Sequence, residues 1–226
     1  MATIKTSTQA LALLRRRRVL MQAAAVPGVD SLAATIAGEP IRGSWWGHPE
    51  GKRIFGICEA LHDSGEVLVA KLCDGKVTFV HQSLWPALYR VVTDPNWRTQ
   101  QERGLTPAGR RLLDQVEKAG ELRLDQVSVR AQSCGFGDRR AVARARDELE
   151  ERMLVQSQQI HTESGNHATV LRTWARWADA AASDLPWQAR ALELHRAQAE
   201  LRAVCGQVPL AVEPPAQRRA TKRRAP

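Results

Sequence analysis

Long apolar runs are missing from this sequence, and so are the short motifs of nucleotide-dependent enzymes. No stretch approaches the roughly 18 consecutive apolar residues of a membrane-spanning helix. There is no P-loop, no G-x-G-x-x-G after a strand and no nucleophile elbow. The short apolar run Leu11–Leu14 precedes the basic cluster Arg15–Arg18, which is the reverse of a secretory signal. We therefore expect a cytoplasmic protein with no membrane partner and no polymerase or ATPase activity.

Cysteine and acidic residues are also scarce. The four cysteines, Cys58, Cys73, Cys134 and Cys205, show no C-x-x-C spacing, which predicts reduced thiols and neither a zinc ribbon nor a redox pair. Asp and Glu number 24 against 33 Lys and Arg, so the formal net charge is +9. This surplus favours a polyanionic partner, because each Lys or Arg placed on a phosphate releases condensed counterions. Duplex DNA is the expected partner, with RNA ranked below it, and we expect no cofactor.

Residues 1–98 are predicted to form an N-terminal module. Helices are expected at Ala10–Ala25, at Leu32–Ala37 after the caps Asp30-Ser31, at Gly51–Leu61 and at Leu84–Tyr89. The hairpin is the clearest signal, since Val67–Cys73 and Lys76–His81 alternate in polarity around Asp74-Gly75. The polar segment Arg98–Gly104 is predicted to be a linker.

Residues 99–182 are predicted to form a second module. Thr106-Pro107 is a strong helix start, and Gly120 ends that helix. The expected elements that follow are a short strand at Glu121–Asp125, a helix at Arg139–Met153 capped by Asp138, and a hairpin of Leu154–Ile160 with Ala168–Leu171.

Helix, short strand, helix and hairpin is the order of a winged helix, whose last helix enters the major groove. The sequence therefore predicts a mainly α protein with short β-hairpins, an α+β fold of two tandem winged-helix modules. A C-terminal helix (183–208) and a disordered basic tail (209–226) are expected to follow.

Basic residues at three places are candidate DNA contacts. In the second module the apolar stripe Val142, Ala145, Leu149 and Met153 leaves Arg139, Arg140 and Arg144 facing out, although a solvated charged face has the same pattern. Further candidates are Lys52 and Arg53 on the first module's last helix, and Lys71 and Lys76 near its hairpin tip, where lysine also serves as edge protection. In the tail they are Arg218, Arg219, Lys222, Arg223 and Arg224.

The loop Gly43–Pro49 is the least generic segment, because it places two tryptophans and a histidine between glycine and proline. Trp45 or Trp46 is a candidate to wedge between base pairs or stack on an extruded base, with Ser44 or His48 on phosphate or a base edge. The alternative is that the rings cap the core of the first module, and for at least one tryptophan we favour that role.

The predicted tip of the second hairpin is also polar. Its hydroxyls, amide and imidazoles can donate to phosphates or minor-groove edges, and the candidates are His161, Thr162, Ser164, Asn166 and His167. A metal site from the two histidines and Glu163 lacks a recognised spacing, so we expect no metal. Beyond this hairpin, Trp174 and Trp177 are expected in the core, and the helix Trp187–Val204 is expected to dock on the body or form a homodimer contact.

The segment Leu154–Gly165 leading into Leu171-Arg-Thr-Trp174, together with the two modules, resembles a bacterial superfamily of tandem winged-helix proteins. That superfamily includes DNA glycosylases for alkylpurines and crosslinks, and the likeness covers roughly residues 10–178. The resemblance implies a Gln-x-Gln pair followed by Asp to activate water. Gln156-Ser157-Gln158 matches the pair, but Gln159-Ile160 follows it on a predicted wing strand.

Three functions therefore remain open. The first is a DNA-binding protein of repair or defence that acts without catalysis and associates with the nucleoid. The second is a base-excision DNA glycosylase, for which Glu50, Glu59 and Asp63 lie near the tryptophan loop and Glu59 is the preferred catalytic candidate. The third is a dimeric transcriptional regulator that binds paired half-sites.

Overall fold

The computed structural model describes residues 3–24, 26–161, 167–206 and 208–213, with the side chain of His161 excepted. It is a mixed α+β structure with two small three-stranded antiparallel sheets, one in each of two units. The first unit (residues 7–81) consists of α1 (Ser7–Arg17), β1 (Val19–Met21), α2 (Leu32–Ala37), α3 (Gly51–His62), β2 (Val67–Cys73) and β3 (Lys76–His81).

Two helices, α4 (Trp85–Val92) and α5 (Pro95–Glu102), connect the first unit to the second (residues 107–172). The second unit consists of α6 (Pro107–Ala119), β4 (Glu121–Arg123), α7 (Leu124–Val129), α8 (Arg139–Glu151), β5 (Gln156–His161) and β6 (His167–Arg172). Both units thus have the same element order, and both sheets have the same strand order, β1-β3-β2 and β4-β6-β5. Three helices follow: α9 (Trp174–Ala181), α10 (Leu185–Arg190) and α11 (Leu194–Cys205).

Local chemistry explains most of these boundaries. Thr106 and Asp138 accept hydrogen bonds from Gly109 N (3.0 Å) and Ala141 N (2.7 Å), so both act as the predicted N-caps. The first hairpin turns at Asp74-Gly75, as predicted, and both residues have positive φ angles.

Several boundaries differ from the sequence prediction. Helix α1 ends at Arg17 instead of Ala25, because Arg18 is left-handed (φ 66°) and the next three residues pair with β3. Helix α5 occupies most of the predicted linker Arg98–Gly104, since Asp94 caps it at Asn96 N and Trp97 N. Helix α7 lies in a stretch that was predicted as strand end and loop.

The C-terminal part differs as well. The single helix predicted for 183–208 is two helices, α10 and α11, separated by Ala191-Leu192-Glu193. Residues 208–213, predicted as the helix end and the start of a disordered tail, lie against β2. Asp74 N donates to Pro209 O (2.7 Å) and Ala211 N donates to Leu72 O (2.8 Å), so this segment extends the sheet.

Buried apolar side chains form one core in each unit and a third, shared core. The shared core combines β2, α4, the three last helices and residues 208–212, and it includes Met153, two residues after the end of α8 in the second unit. Trp174 and Trp177 lie in it, as predicted, with their ring centroids 5.4 Å apart edge to face. The two units are therefore packed into one body. Within the described ranges, no helix is long and apolar enough to cross a bilayer.

Candidate functional site

A cleft of about 620 Å³ lies between the two units. One wall comes from the Trp45–Gly47 turn, α3 and the first sheet, and the other from α8 and the β5–β6 hairpin. Its aromatic lining is Trp45, Trp46, Phe55 and Phe79, and its polar lining includes Glu59, His62, Arg146, Gln158, Gln159 and His167.

The aromatic side of the cleft carries a stacked pair of tryptophans with a phenylalanine beside it. Trp45 is 8% exposed and belongs to the core of the first unit, which confirms the expectation that one tryptophan packs inward. Trp46 stacks on it, with ring centroids 4.1 Å apart, and is 64% exposed. The Phe55 ring lies 5.5 Å from the Trp46 ring. The stack therefore presents one mostly exposed indole to the cleft.

The turn that carries this stack is fixed to the start of α3. Gly51 N donates to His48 O (2.8 Å), and His48 Nδ1 accepts from Glu50 N (3.2 Å). A Cβ at Gly51 would lie 3.0 Å from the carbonyl oxygens of both Trp45 and Trp46. Ser44 is exposed and makes no capping hydrogen bond, so of the predicted loop contacts Ser44 and Trp46 are accessible and His48 is half-buried.

The opposite side of the cleft carries oriented polar groups. Gln158 Oε1 accepts from Arg172 (2.6 Å), and Arg172 is held in turn by Glu121. Because a guanidinium only donates, Gln158 turns its amide N–H toward His62 Nε2, which accepts at 3.0 Å.

An ion-pair network joins the units beside the cleft. Lys71 Nζ lies 2.8 Å from Glu150 Oε2 and 3.2 Å from Asp147 Oδ1, across from β2 to α8. Burial acts to lower the pKa of Lys71, but the bond to Glu150 and the charge of Asp147 outweigh it and the pKa is raised. Burial acts to raise the pKa of Asp147, yet Arg146 and Lys71 lower it. The positive charge of Lys71 is already compensated by two carboxylates, which argues against its predicted phosphate contact.

The predicted arginines of α8 have the opposite environment. Arg139, Arg140 and Arg144 are exposed and make no ion pair with any residue in the described part of the chain. The predicted apolar stripe Val142, Ala145 and Leu149 is buried beneath them. The three guanidinium groups are thus free to meet an anion.

Of the remaining predicted DNA contacts in the first unit, two are exposed and one is held in an ion pair. Lys52 and Lys76 are exposed, and Arg53 pairs with Glu50 at 2.5 Å. The hairpin tip near Lys76 lies close to α8, because a Cβ at Gly75 would lie 3.7 Å from Glu151 Cγ, an ordinary contact distance.

Other predicted contacts fall outside the described residues or inside the body. His167 is exposed at the cleft. The side chain of His161 and the residues Thr162, Ser164, Asn166, Arg218, Arg219, Lys222, Arg223 and Arg224 lie outside the described part. Leu201 is buried in the shared core and Leu192 and Leu194 pack against it, so the predicted dimer helix docks on the body.

Sequence reasoning named Glu59 and the tryptophans but missed His62 and Arg146, and it set Gln158 aside. A signal for His62 was present, because Phe55, Glu59 and His62 follow one another at spacings of four and three on one helix face. For Arg146 no local signal existed, and the Gln-x-Gln match that includes Gln158 was set aside because Gln159-Ile160 follows it. The second unit brings both residues to the cleft.

This arrangement suits a planar ring. An exposed indole can stack with it, while amides, an imidazole and a carboxylate are placed to bond its edge. Comparison of the chain with protein-family models, with curated proteins and with solved structures found no match.

Proposed function

We propose that this protein binds duplex DNA and that its two units act as winged-helix modules. Three helices, a short strand after the first helix and a closing hairpin recur in both units, which supports the assignment. The observation that carries the proposal is the set of exposed arginines Arg139, Arg140 and Arg144 at the start of α8, which form no ion pair with the described residues. In a winged helix that position belongs to the helix that enters the major groove.

Three of the four carboxylates of α8 do not oppose this role. Asp147 and Glu150 face Lys71 of the first unit, and Glu148 accepts from the Thr106 hydroxyl at 2.6 Å. These three acids are used for internal contacts on the C-terminal half of the helix. The positive charge at its N-terminal end is therefore left to act on an outside anion, in a chain with a net charge of +9.

The test is fluorescence anisotropy with a labelled duplex over a salt series. Replacing Arg139, Arg140 and Arg144 together by Ala should weaken binding about tenfold or more between about 50 and 200 mM salt. Each phosphate contact that is lost leaves counterions on the DNA that binding would otherwise release. The slope of log affinity against log salt should fall by about 2 to 3.

The matched control replaces Arg176, Arg190 and Arg196, which are exposed on the last three helices, and changes the net charge equally. It should bind nearly as the unaltered protein does. Equal weakening by both triple variants would mean that only net charge matters, and would contradict a specific role for α8.

A second candidate function, hydrolytic removal of a modified base, is supported by the exposed Trp46 stack beside Glu59. An enzyme of this class stacks the extruded base on an aromatic ring and uses a carboxylate to activate water at the glycosidic carbon. In this candidate Trp46 holds the base and Glu59 is the general base.

Duplexes that carry alkylated bases, treated with alkali after incubation, test the second candidate. Strand breaks should fall about 100-fold or more with Glu59→Gln, while Glu193→Gln, which changes an exposed carboxylate before α11 that does not line the cleft, should leave them unchanged. Trp46→Ala should also reduce them and Trp187→Ala should not, although both indoles are exposed. Binding without breaks on any duplex would eliminate this candidate and leave the first.

A further inference from the structure

Two of the four cysteines meet in the shared core, although 132 residues separate them. Cys73 ends β2 and Cys205 ends α11, and their Sγ atoms lie 2.9 Å apart. Both side chains are fully buried. The other two differ, since Cys58 contacts Gln22 in the first unit's core region and Cys134 is half-buried in the second unit.

We propose that Cys73 and Cys205 are a site of reversible oxidation and form a disulfide with each other. This goes beyond DNA binding and does not depend on it. A disulfide needs its sulfurs at about 2.05 Å, so the contacting thiols have to approach by only about 1 Å.

The backbone on both sides of the pair is held in place. Cys73 forms an isolated bridge with Leu210, and Cys73 N donates to Thr78 Oγ1 at 3.3 Å. On the other side Arg202 Nη1, one turn before Cys205, donates to Gly206 O (3.0 Å) and Val208 O (2.6 Å). The two sulfurs therefore stay in contact as long as the shared core is intact.

The surroundings set the rate of the reaction. The charge of Arg202 acts to lower the pKa of Cys205 and so favours its thiolate, the reactive form of cysteine. Contact with Cys73 and burial act against this and raise the pKa of Cys205. Because the pair is also closed to solvent, oxidation should be slow and should accelerate when the segment 208–213 opens locally.

Hydrogen peroxide is a sufficient oxidant for this site. One thiolate attacks the peroxide, gains an oxygen as sulfenic acid and releases hydroxide, which takes up the thiol proton as water. The second sulfur then attacks the sulfenic sulfur and a second water leaves with the remaining proton. Two thiols and one peroxide give one disulfide and two waters, and a dithiol reductant reverses the change.

The bond would close the chain from residue 73 to residue 205, a loop that contains the whole second unit. Closing so long a loop restricts the unfolded chain strongly. The oxidised protein should therefore unfold at a temperature higher by roughly 5 to 15 °C, and reduction should reverse the shift.

The experiment treats the full chain with hydrogen peroxide, counts thiols after denaturation and maps linked peptides by mass spectrometry without reduction. The expected result is a fall from four free thiols to two and one linked pair, the peptides of Cys73 and Cys205. The double variant Cys58→Ala/Cys134→Ala should still form the link, whereas Cys73→Ala and Cys205→Ala should each abolish it.

Four thiols that persist after peroxide treatment would overturn the proposal, as would links that involve Cys58 or Cys134. Burial raises the pKa of Cys58 to about 11, which makes it a poor competitor. Because the double variant leaves the proposed pair intact, the outcome does not depend on whether Cys73→Ala or Cys205→Ala folds.

Discussion

Gly51 lies where helix α3 meets the turn that carries Trp45 and Trp46. It begins α3, and its backbone approaches the carbonyl oxygens of Trp45 and Trp46 so closely that a Cβ would lie only 3.0 Å from each. These contacts are to backbone atoms, which cannot swing away as a flexible side chain can. The position of the exposed indole in the cleft thus depends on the absence of a side chain at residue 51.

We predict that Gly51→Ala destabilises the protein by about 1 to 3 kcal/mol, because the added methyl overpacks the turn. The tryptophan emission should shift as Trp46 is displaced. Gly56 of the same helix is the matched control, since a Cβ there meets nothing within 4 Å. Gly56→Ala should stabilise the protein by about 0.5 to 1 kcal/mol, and urea unfolding of both variants gives the comparison. Destabilisation by both would show that helical glycine itself is needed and not the close approach.

At the level of elements, α5 ties the C-terminal segment to the body. Trp97 on this helix is buried, and its Nε1 donates to Val212 O at 2.5 Å, while Gln101 Nε2 donates to Glu213 O at 3.0 Å. The helix also approaches α6 through the Arg98–Glu117 ion pair and the Glu102–Arg110 ion pair. One short helix therefore holds segment 208–213 and the start of the second unit together.

Trp97→Phe should lower the free energy of unfolding by about 1 to 3 kcal/mol, because it leaves the buried Val212 carbonyl without its donor. Limited proteolysis should then cut within or next to segment 208–213 faster than in the unaltered protein. Trp187→Phe makes the same chemical change at a 74% exposed position, and it should alter stability by less than about 0.5 kcal/mol. Equal effects of the two changes would contradict a stabilising role for the hydrogen bond from Trp97 to Val212.

Elements with strong local signals were predictable from the sequence. The Asp74-Gly75 turn and the caps at Thr106 and Asp138 each fix a boundary within a few residues, so the hairpin and both helix starts were predicted correctly. Helix α5 was missed because Asp94-Pro95 suits a turn as well as a cap. Helix α7 has only six residues, too few to show a period.

The candidate site was predictable only where one element carries it. The exposed arginines of α8 and the tryptophan turn follow from local patterns. The Gln158–His62 contact and the Lys71 ion pairs join residues that are far apart in sequence. Their partners are set by how the units pack, which no local pattern contains.

For the whole molecule, the relative position of the units is set by the shared core and by the Lys71 network. The network spans from β2 to α8, and its members differ in burial: the Glu150 side chain is 10% exposed and that of Asp147 is 44% exposed. The partly exposed pair is expected to contribute at most about 1 kcal/mol. The apolar core therefore contributes most of the stability of the contact between the units, and the ion pairs fix their relative orientation.

The pKa of Asp147 is lowered in the folded protein, so its contribution to stability is present above the ordinary aspartate pKa and is lost as the pH falls through the lowered value. We predict that Asp147→Asn is less stable than the unaltered protein near neutral pH by up to about 1 kcal/mol. The two stability curves should converge below about pH 4. Thermal unfolding from about pH 7 to pH 3 checks this, and a constant difference down to the lowest pH would contradict the linkage.

The pairing of residues 208–213 with the end of β2 sets the order of events during synthesis. All residues of the first unit have been synthesised at residue 81, but the strand edge at Leu72 and Cys73 has to wait for the chain near residue 211. At ordinary translation rates that interval is on the order of ten seconds. Throughout it, the nascent chain carries an unpaired apolar edge, the kind of surface that chaperones protect from aggregation. The first sheet can therefore be completed only after the chain has been translated to about residue 211.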